Sequence, residues 1–427
     1  MSHRFRSLRP RADRAPLNVM FVITSMPVGG AETLLVQLVR GLDRTRFAPS
    51  ICCLKEPGPL GEMMANEVPL DSHVIRGKYD LPVVERLATR MRQRKIDAVV
   101  TVGAGDKMFW GRLAARRANV PVVLSAIHST GWPDGIGRLN RMLTPITDAF
   151  VAVAENHRRH LIDRERFPES KVVLVPNGID VERFRFSAPG RASRRAEWGI
   201  AAEAPTVGLV AALRPEKNHG SFLRVAAIVA QHLPDARFVL IGDGPERPSI
   251  ERQIDQSGLH RAVVMAGSRS DIVECLSALD LFLLTSKMEA SPVSILEALA
   301  CERPVVATDV GSIAESVRVG STGFLAAVDD DRSLADGVLA LLTDRVRREQ
   351  FGRAGRELVR ERGSLASMVG GYERLIEAIY DRKQRGERTS ASRLPGALAI
   401  GGTTVANEGA AERETVSRGS AVSTGVR

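Results

Sequence analysis

The chain has 427 residues, 44% hydrophobic and 26% charged, with a formal net charge of +10. That is enough apolar material for two globular domains, and too much for a disordered polymer. With 4% aromatic residues and no interleaving of aromatic with basic clusters, a nucleic-acid platform is disfavoured. No apolar run approaches the ~20 residues of a membrane-spanning helix. The N-terminal candidate, Val19 to Thr24, is too short for a secretory signal, so a cytoplasmic protein is expected. Cys52, Cys53, Cys275 and Cys301 lack metal-type spacing and read as buried thiols.

Residues 1–16, basic and rich in Pro and Arg, read as a disordered leader. From residue 17 apolar strand patterns alternate with helical ones: Val19 to Thr24, a helix from Ala31, Ser50 to Leu54, a helix over Leu81 to Lys95, Ala98 to Val102, Pro121 to Ile127, Ala149 to Val153 and Val172 to Val175. After a turn-rich stretch the rhythm resumes at Val207 to Leu213, Arg237 to Ile241, Val263 to Ala266 and Leu281 to Thr285. Alternation of this kind predicts an α/β fold, with parallel sheets covered by helices on both faces. The boundaries are set at 17–190 for a first Rossmann-like domain and 191–363 for a second. A helix over 364–384 is expected to cross back to the first domain, and 385–427 reads as a disordered tail.

Ligands of such sheets bind beyond the carboxyl ends of the strands, and the residues found there carry the chemical argument. Leu281 to Ala307 reads as strand, loop, helix, strand, with Glu289 on the loop, Glu297 inside the helix, and Ser291-Pro292 as N-cap and first helical residue. Free backbone N–H groups at such a helix start can take a phosphate. Arg214 and Lys217, three residues apart past the first strand of the second half, can grip a diphosphate; the competing reading is a pair of surface cations. His128 ends a strand, where a neutral imidazole can meet a sugar hydroxyl or act as a structural hydrogen-bonder.

Gly29-Gly30-Ala31-Glu32 opens a helix after the first strand, and Pro176-Asn177-Gly178-Ile179-Asp180 is a turn. Gly242-Asp243-Gly244-Pro245 and Gly267-Ser268 end strands, consistent with close approach of a nucleotide base or with tight turns. Asp329-Asp330-Asp331 contains an Asp-x-Asp pattern but reads better as an N-cap than as a cation site.

In this order and spacing the motifs resemble the retaining GT-B glycosyltransferases of family 4, the glycosyl transferases group 1, from about Asn18 to Arg382. The resemblance implies two Rossmann-like domains facing across a cleft, with a nucleoside-diphosphate sugar in the second and a glycan or lipid-linked acceptor in the first. By it, His128, Glu289, Arg214 and Lys217 form the catalytic set. Gly30, Gly242, Gly267, Ser291, Pro292, Val293, Ser294 and Glu297 bind the donor, with Glu297 on the ribose.

It further implies retention of configuration without a dedicated protein base, no metal and no tightly bound cofactor. The expected setting is cell-surface polysaccharide or glycolipid synthesis. The alternatives are a nucleotide-sugar epimerase or phosphorylase of the same fold, or a non-catalytic nucleotide-binding partner of a glycan synthase. Glu302 departs from the family, which favours glycine at that helix end. Peripheral membrane contact is a further expectation, motivated by Arg86, Arg90, Arg92, Arg94 and Lys95 beside Leu81, Val84, Leu87 and Met91; those apolar residues equally suit a core-facing stripe.

Overall fold

The computed structural model describes residues 15–77, 80–103, 107–128 and 140–386, without the side chains of 107 and 108. The leader through residue 14 and the tail from 387 lie outside these residues, as do Ser129, Thr130 and Gly131. Among the described residues thirteen strands form two sheets. The first contains β1 (Leu17–Ile23), β2 (Phe47–Cys53), β3 (Leu70–Asp71), β4 (Ala98–Val102), β5 (Val122–Ala126), β6 (Ala149–Ala152) and β7 (Val172–Leu174). The second contains β8 (Thr206–Val210), β9 (Arg237–Ile241), β10 (Val263–Gly267), β11 (Leu281–Leu284), β12 (Val305–Thr308) and β13 (Gly323–Ala326).

The strand orders are 3-2-1-4-5-6-7 and 10-9-8-11-12-13, and the pairings within both sheets are parallel. β4, β5, β11 and β12 are buried along their whole length, as strands sandwiched between helices must be, which is why they are unbroken apolar runs in the sequence. Phe21 and Phe150 fill the first core; Phe222, Phe238 and Phe282 fill the second. Each strand order reverses once, between β1 and β4 and between β8 and β11. A parallel sheet opens a crevice at such a switch point, beyond the carboxyl ends of its strands.

The chain crosses between the domains at two adjacent places. Ile179 N–H donates to the Gly363 carbonyl at 2.8 Å, and Leu365 N–H donates to the Ile179 carbonyl at 2.8 Å. The helix Leu365–Gln384 then lies against the helix Gly30–Gly41 of the first domain. Arg46 pairs with Glu373 at 3.1 Å and Glu377 at 2.5 Å, and Lys383 pairs with Asp148 at 2.6 Å.

Two expectations are corrected here. The basic helix spans Val83–Gln93, and its Val83, Leu87, Ala88 and Met91 are buried in the first core. Arg86 pairs with Asp80, Arg92 with Glu85, and Arg94 with Asp71 at 3.0 Å. Leu87 and Met91 of the expected stripe are therefore committed to packing and Val84 is partly covered, while Leu81, ahead of the helix, is 68% exposed. The second correction concerns Ser291. The helix starts at Val293, one residue later than expected, with Pro292 in the N-cap position at φ −71 and ψ 117 and no side-chain cap. Ser291 is instead held through its carbonyl, which accepts from Asn177 Nδ2 at 3.0 Å.

The cysteines are free and buried. Burial pushes the Cys53, Cys275 and Cys301 thiols up to about 12, so they are inert thiols at neutral pH.

Candidate active site

The loops after β8 and β11 flank the switch point of the second sheet, and their side chains meet. A short 3₁₀ turn, Pro215–Lys217, is followed by Asn218 in the left-handed region (φ 54) and then by the helix His219–His232. This turn aims Lys217 at Glu289: Nζ lies 2.5 Å from Oε1. Ser286 Oγ donates to the same oxygen at 2.7 Å.

Thr285 Oγ1 donates to the Asn218 carbonyl at 3.0 Å and Thr308 Oγ1 to the Ser286 carbonyl at 2.6 Å, tying both loops to the sheet. Glu289 is thus a buried carboxylate fixed by a cation and a hydroxyl, and charge-assisted bonds of this kind hold geometry firmly. Gly311 sits behind it in the left-handed region (φ 59), so close that a side chain would collide with the Glu289 carbonyl.

Two helix N-termini converge on this point. The helix Val293–Ala300 begins at Pro292 and the helix Gly30–Gly41 at Gly29, neither with a cap from its N-cap side chain. They belong to different domains, yet a Cβ placed on Gly30 would lie 3.9 Å from Val293 Cγ2. Helix N-termini carry partial positive charge and exposed N–H donors, so the cleft between them suits an anion. Glu32, in the first turn of the Gly30 helix, has its carboxyl pushed up by burial, against the lowering influence of its own backbone N–H and of Arg214 from the opposite domain. The charge of exposed Arg214 therefore reaches across the cleft.

Glu297, four residues into the Val293–Ala300 helix, is buried, and desolvation pushes its carboxyl up to about 7, with Arg183 opposing. His128 follows β5 at the carboxyl edge of the first sheet, half-buried, its imidazole pushed down to about 4 by desolvation. Gly242 (φ 145) owes its identity to the protein itself: a side chain there would strike the Ala211 carbonyl in the loop after β8. Gly267 closes β10 beside Arg247. In the Asp triplet, Asp330 caps the helix Asp331–Thr343 by accepting from Ser333 N–H at 3.0 Å, and Asp329 accepts from Asn218 Nδ2 at 3.1 Å. Asp331 pairs with Arg224 at 2.5 Å.

The structure thus joins Lys217 to Glu289 and places Gly30 beside Val293. Thr285, Ser286, Gly311 and Glu32 complete the site without having been singled out as site residues. Ser286 and Thr285 had a legible signal, since a polar Thr-Ser pair ends the apolar β11 run at the carboxyl edge.

Residues 28–183 match the Glycosyltransferase Family 4 model and residues 190–358 the Glycosyl transferases group 1 model. A D-inositol 3-phosphate glycosyltransferase of Kineococcus radiotolerans is 30% identical over 303 residues, which cover 64% of this chain and 69% of that protein. This chain belongs to the group 1 glycosyltransferases.

The glycosyltransferase is also similar to the Escherichia coli UDP-Gal:alpha-D-GlcNAc-diphosphoundecaprenol alpha-1,3-galactosyltransferase, 25% identical over 339 residues, 75% of this chain and 87% of that one. Its fold matches the crystal structure of Anabaena Alr3699/HepE in complex with UDP, with TM-score 0.75, 20% identity, and coverage of 85% of this chain and 100% of that one. The fold is GT-B. Gly30 and His128 lie in the first matched segment of the glycosyltransferase, and Arg214, Lys217, Glu289 and Glu297 in the second, so the two matched segments each furnish one wall of the cleft.

Proposed function

We propose that this glycosyltransferase binds a nucleoside-diphosphate sugar in its second domain and transfers the sugar, with retention of configuration, to an acceptor hydroxyl presented by the first. The observation that carries this reading is the Lys217–Glu289 pair at 2.5 Å beside an uncapped helix N-terminus. Cation and N–H donors suit a diphosphate, and the anchored carboxylate suits a sugar hydroxyl. In this assignment Lys217 and Arg214 hold the diphosphate, and the N–H groups of Val293 and Ser294 face its distal phosphate. Ser291 and Pro292 shape the sugar pocket, and Glu297 accepts from the ribose. Gly242 and Gly267 border the base, while Gly30 and His128 close the sugar from the first domain.

As the bond between the anomeric carbon and the phosphate oxygen breaks, negative charge builds on the leaving diphosphate, where Arg214 and Lys217 stabilise it. The acceptor oxygen bonds to the anomeric carbon on the same face and its proton passes to the leaving phosphate oxygen. The step balances without a protein base or a metal ion. Glu289 and Glu297 contact sugar and ribose, in contrast to the carboxylate pair that brackets the bond in a glycosidase.

The diphosphoundecaprenol acceptor named for the Escherichia coli relative supports a lipid-linked or glycan acceptor in cell-surface polysaccharide or glycolipid synthesis. No helix among the described residues is long and apolar enough to cross a membrane. The proposed setting is the cytoplasm, with a lipid-linked acceptor bringing the enzyme to the inner membrane face.

The test is a thermal-shift screen of the purified protein against UDP-, GDP-, ADP- and dTDP-sugars, followed by turnover with the stabilising donor. Stabilisation by one donor and a product of unchanged anomeric configuration are expected. An inverted product would overturn retention, and an epimerised donor without transfer would overturn the reading.

A further inference from the structure

Four hydrogen bonds that the proposed chemistry does not use tie the first domain to the second around the Glu289–Ser291 loop. Helix Glu155–Asp163 of the first domain starts at Ala154, whose side chain provides no cap. The cap comes from the other domain. Glu315 accepts from Glu155 N–H at 2.9 Å and from Asn156 N–H at 2.6 Å, across about 160 residues of sequence. Asn156 Nδ2 in turn donates to the Gly311 carbonyl at 3.3 Å, and Gly311 is the residue pressed against the Glu289 carbonyl. On the other side of the same loop Asn177, in the crossover turn, donates to the Ser291 carbonyl at 3.0 Å.

A carboxylate on two helix-start N–H groups gains both charge-assisted bonds and the favourable helix dipole. Because donor and acceptor lie in different domains, this gain exists only while the domains are together.

We infer that Glu315, Asn156 and Asn177 form an interdomain clasp that positions the Glu289–Ser291 loop when the cleft is closed. They are positioning residues: none touches the reacting atoms, and each acts through the backbone around Glu289. The inference rests on the proposed role of Glu289 at the donor sugar. A loop displaced by ~1 Å costs turnover far more than it costs binding of the nucleotide, which is held outside this loop, by Arg214 and Glu297.

The test uses the full chain and three measurements: kcat and KM for the donor, calorimetric affinity for the free nucleoside diphosphate, and hydrogen exchange at the Glu155 and Asn156 amides. Glu315→Ala is expected to lower kcat by about tenfold or more, to leave nucleoside-diphosphate affinity within about threefold, and to strip protection from the two amides. Adding Ala154→Ser gives the helix a local cap. The double variant is expected to regain amide protection while kcat stays low.

Unchanged kcat in Glu315→Ala, or kcat restored by Ala154→Ser, overturns the positioning role and leaves Glu315 as a helix cap only. If the wild-type protein turns over no donor, the proposed function fails, and exchange still decides the clasp: lost protection in Glu315→Ala supports it and unchanged protection overturns it.

Discussion

Lys217 Nζ and Glu289 Oε1 lie 2.5 Å apart and join the loops after β8 and β11 on either side of the switch point of the second sheet. Each holds the other in place. Without Lys217 the buried Glu289 carboxylate keeps Ser286 but loses its cation; without Glu289 the lysine side chain regains its rotamer freedom. Lys217 is assigned to the leaving diphosphate and Glu289 to the donor sugar, so Lys217→Ala and Glu289→Ala are each expected to lower kcat by about 10²–10³-fold, with circular dichroism unchanged. The double variant is expected to fall well short of the product of the two losses, because residues that act as a unit are not additive. Transfer at the wild-type rate by either single variant would remove both residues from the proposed site.

Glu297 makes the site sensitive to pH. Burial pushes its carboxyl from 4.5 up to about 7, and the ionised form is the stronger acceptor for the ribose hydroxyls. Donor affinity is therefore expected to strengthen as pH rises through 7, and this dependence should vanish in Glu297→Gln. Stability runs the other way. A group whose folded pKa is raised contributes stability that is fully present below pH 4.5 and lost as pH rises through about 7. At pH 8 the free Glu297→Gln protein is thus expected to be more stable than wild type by ~3 kcal/mol, with the gap closing towards pH 4.5. Calorimetric melting of the two proteins at both pH values checks the sign.

The parallel sheets were legible because a strand covered on both faces must be apolar throughout, as β4, β5, β11 and β12 are. The polar end of β11 was legible for the same reason: polarity returns at Thr285-Ser286, where the strand leaves the core. The direct bond between Lys217 and Glu289 was not, since 72 residues separate them and only the fold makes them neighbours. The Glu315 cap is hidden in the same way, since nothing around Ala154 signals that another domain caps its helix. Gly242 shows a different limit. A glycine demanded by the Ala211 carbonyl has the same sequence signature as one demanded by a ligand. The Val83–Gln93 helix shows a third: amphipathic period fixes which residues share a face, and the environment of that face is decided by what packs on it.

His128 should not titrate in the working range. Desolvation pushes its imidazole from 6.5 down to about 4, so it is neutral at pH 7 and can serve as hydrogen-bond donor or acceptor but not as a cation. A pH–rate profile of the wild type should therefore show no inflection near 6.5 that is lost in His128→Gln. His128→Gln, which keeps a donor and an acceptor, is expected to retain more activity than His128→Ala, with the alanine variant down about 10²-fold. Equal rates for the two variants would mean that the ring acts by packing alone.

Glu302 lies at φ 59, in the left-handed region, just past the Val293–Ala300 helix that carries Glu297. Its N–H donates to the Leu299 carbonyl and that of Arg303 to the Ala298 carbonyl, both at 2.9 Å. These are the two bonds of a Schellman end, where glycine is preferred. A non-glycine residue in this region costs ~1–2 kcal/mol, and glycine returns about half of that through its greater freedom when unfolded. Glu302→Gly is accordingly expected to stabilise the protein by ~0.5–1 kcal/mol.

Glu302→Ala keeps the positive φ and should gain nothing, which separates backbone relief from loss of the charged side chain. The same geometry predicts the opposite result one contact away. Gly352 packs against the Glu302 carbonyl so closely that a Cβ would collide with it. Gly352→Ala should therefore destabilise by more than ~1 kcal/mol, although alanine is the better helix former. Denaturant melts of the three variants decide the matter, and a gain in Glu302→Ala equal to that in Glu302→Gly would assign the effect to the side chain instead of the backbone.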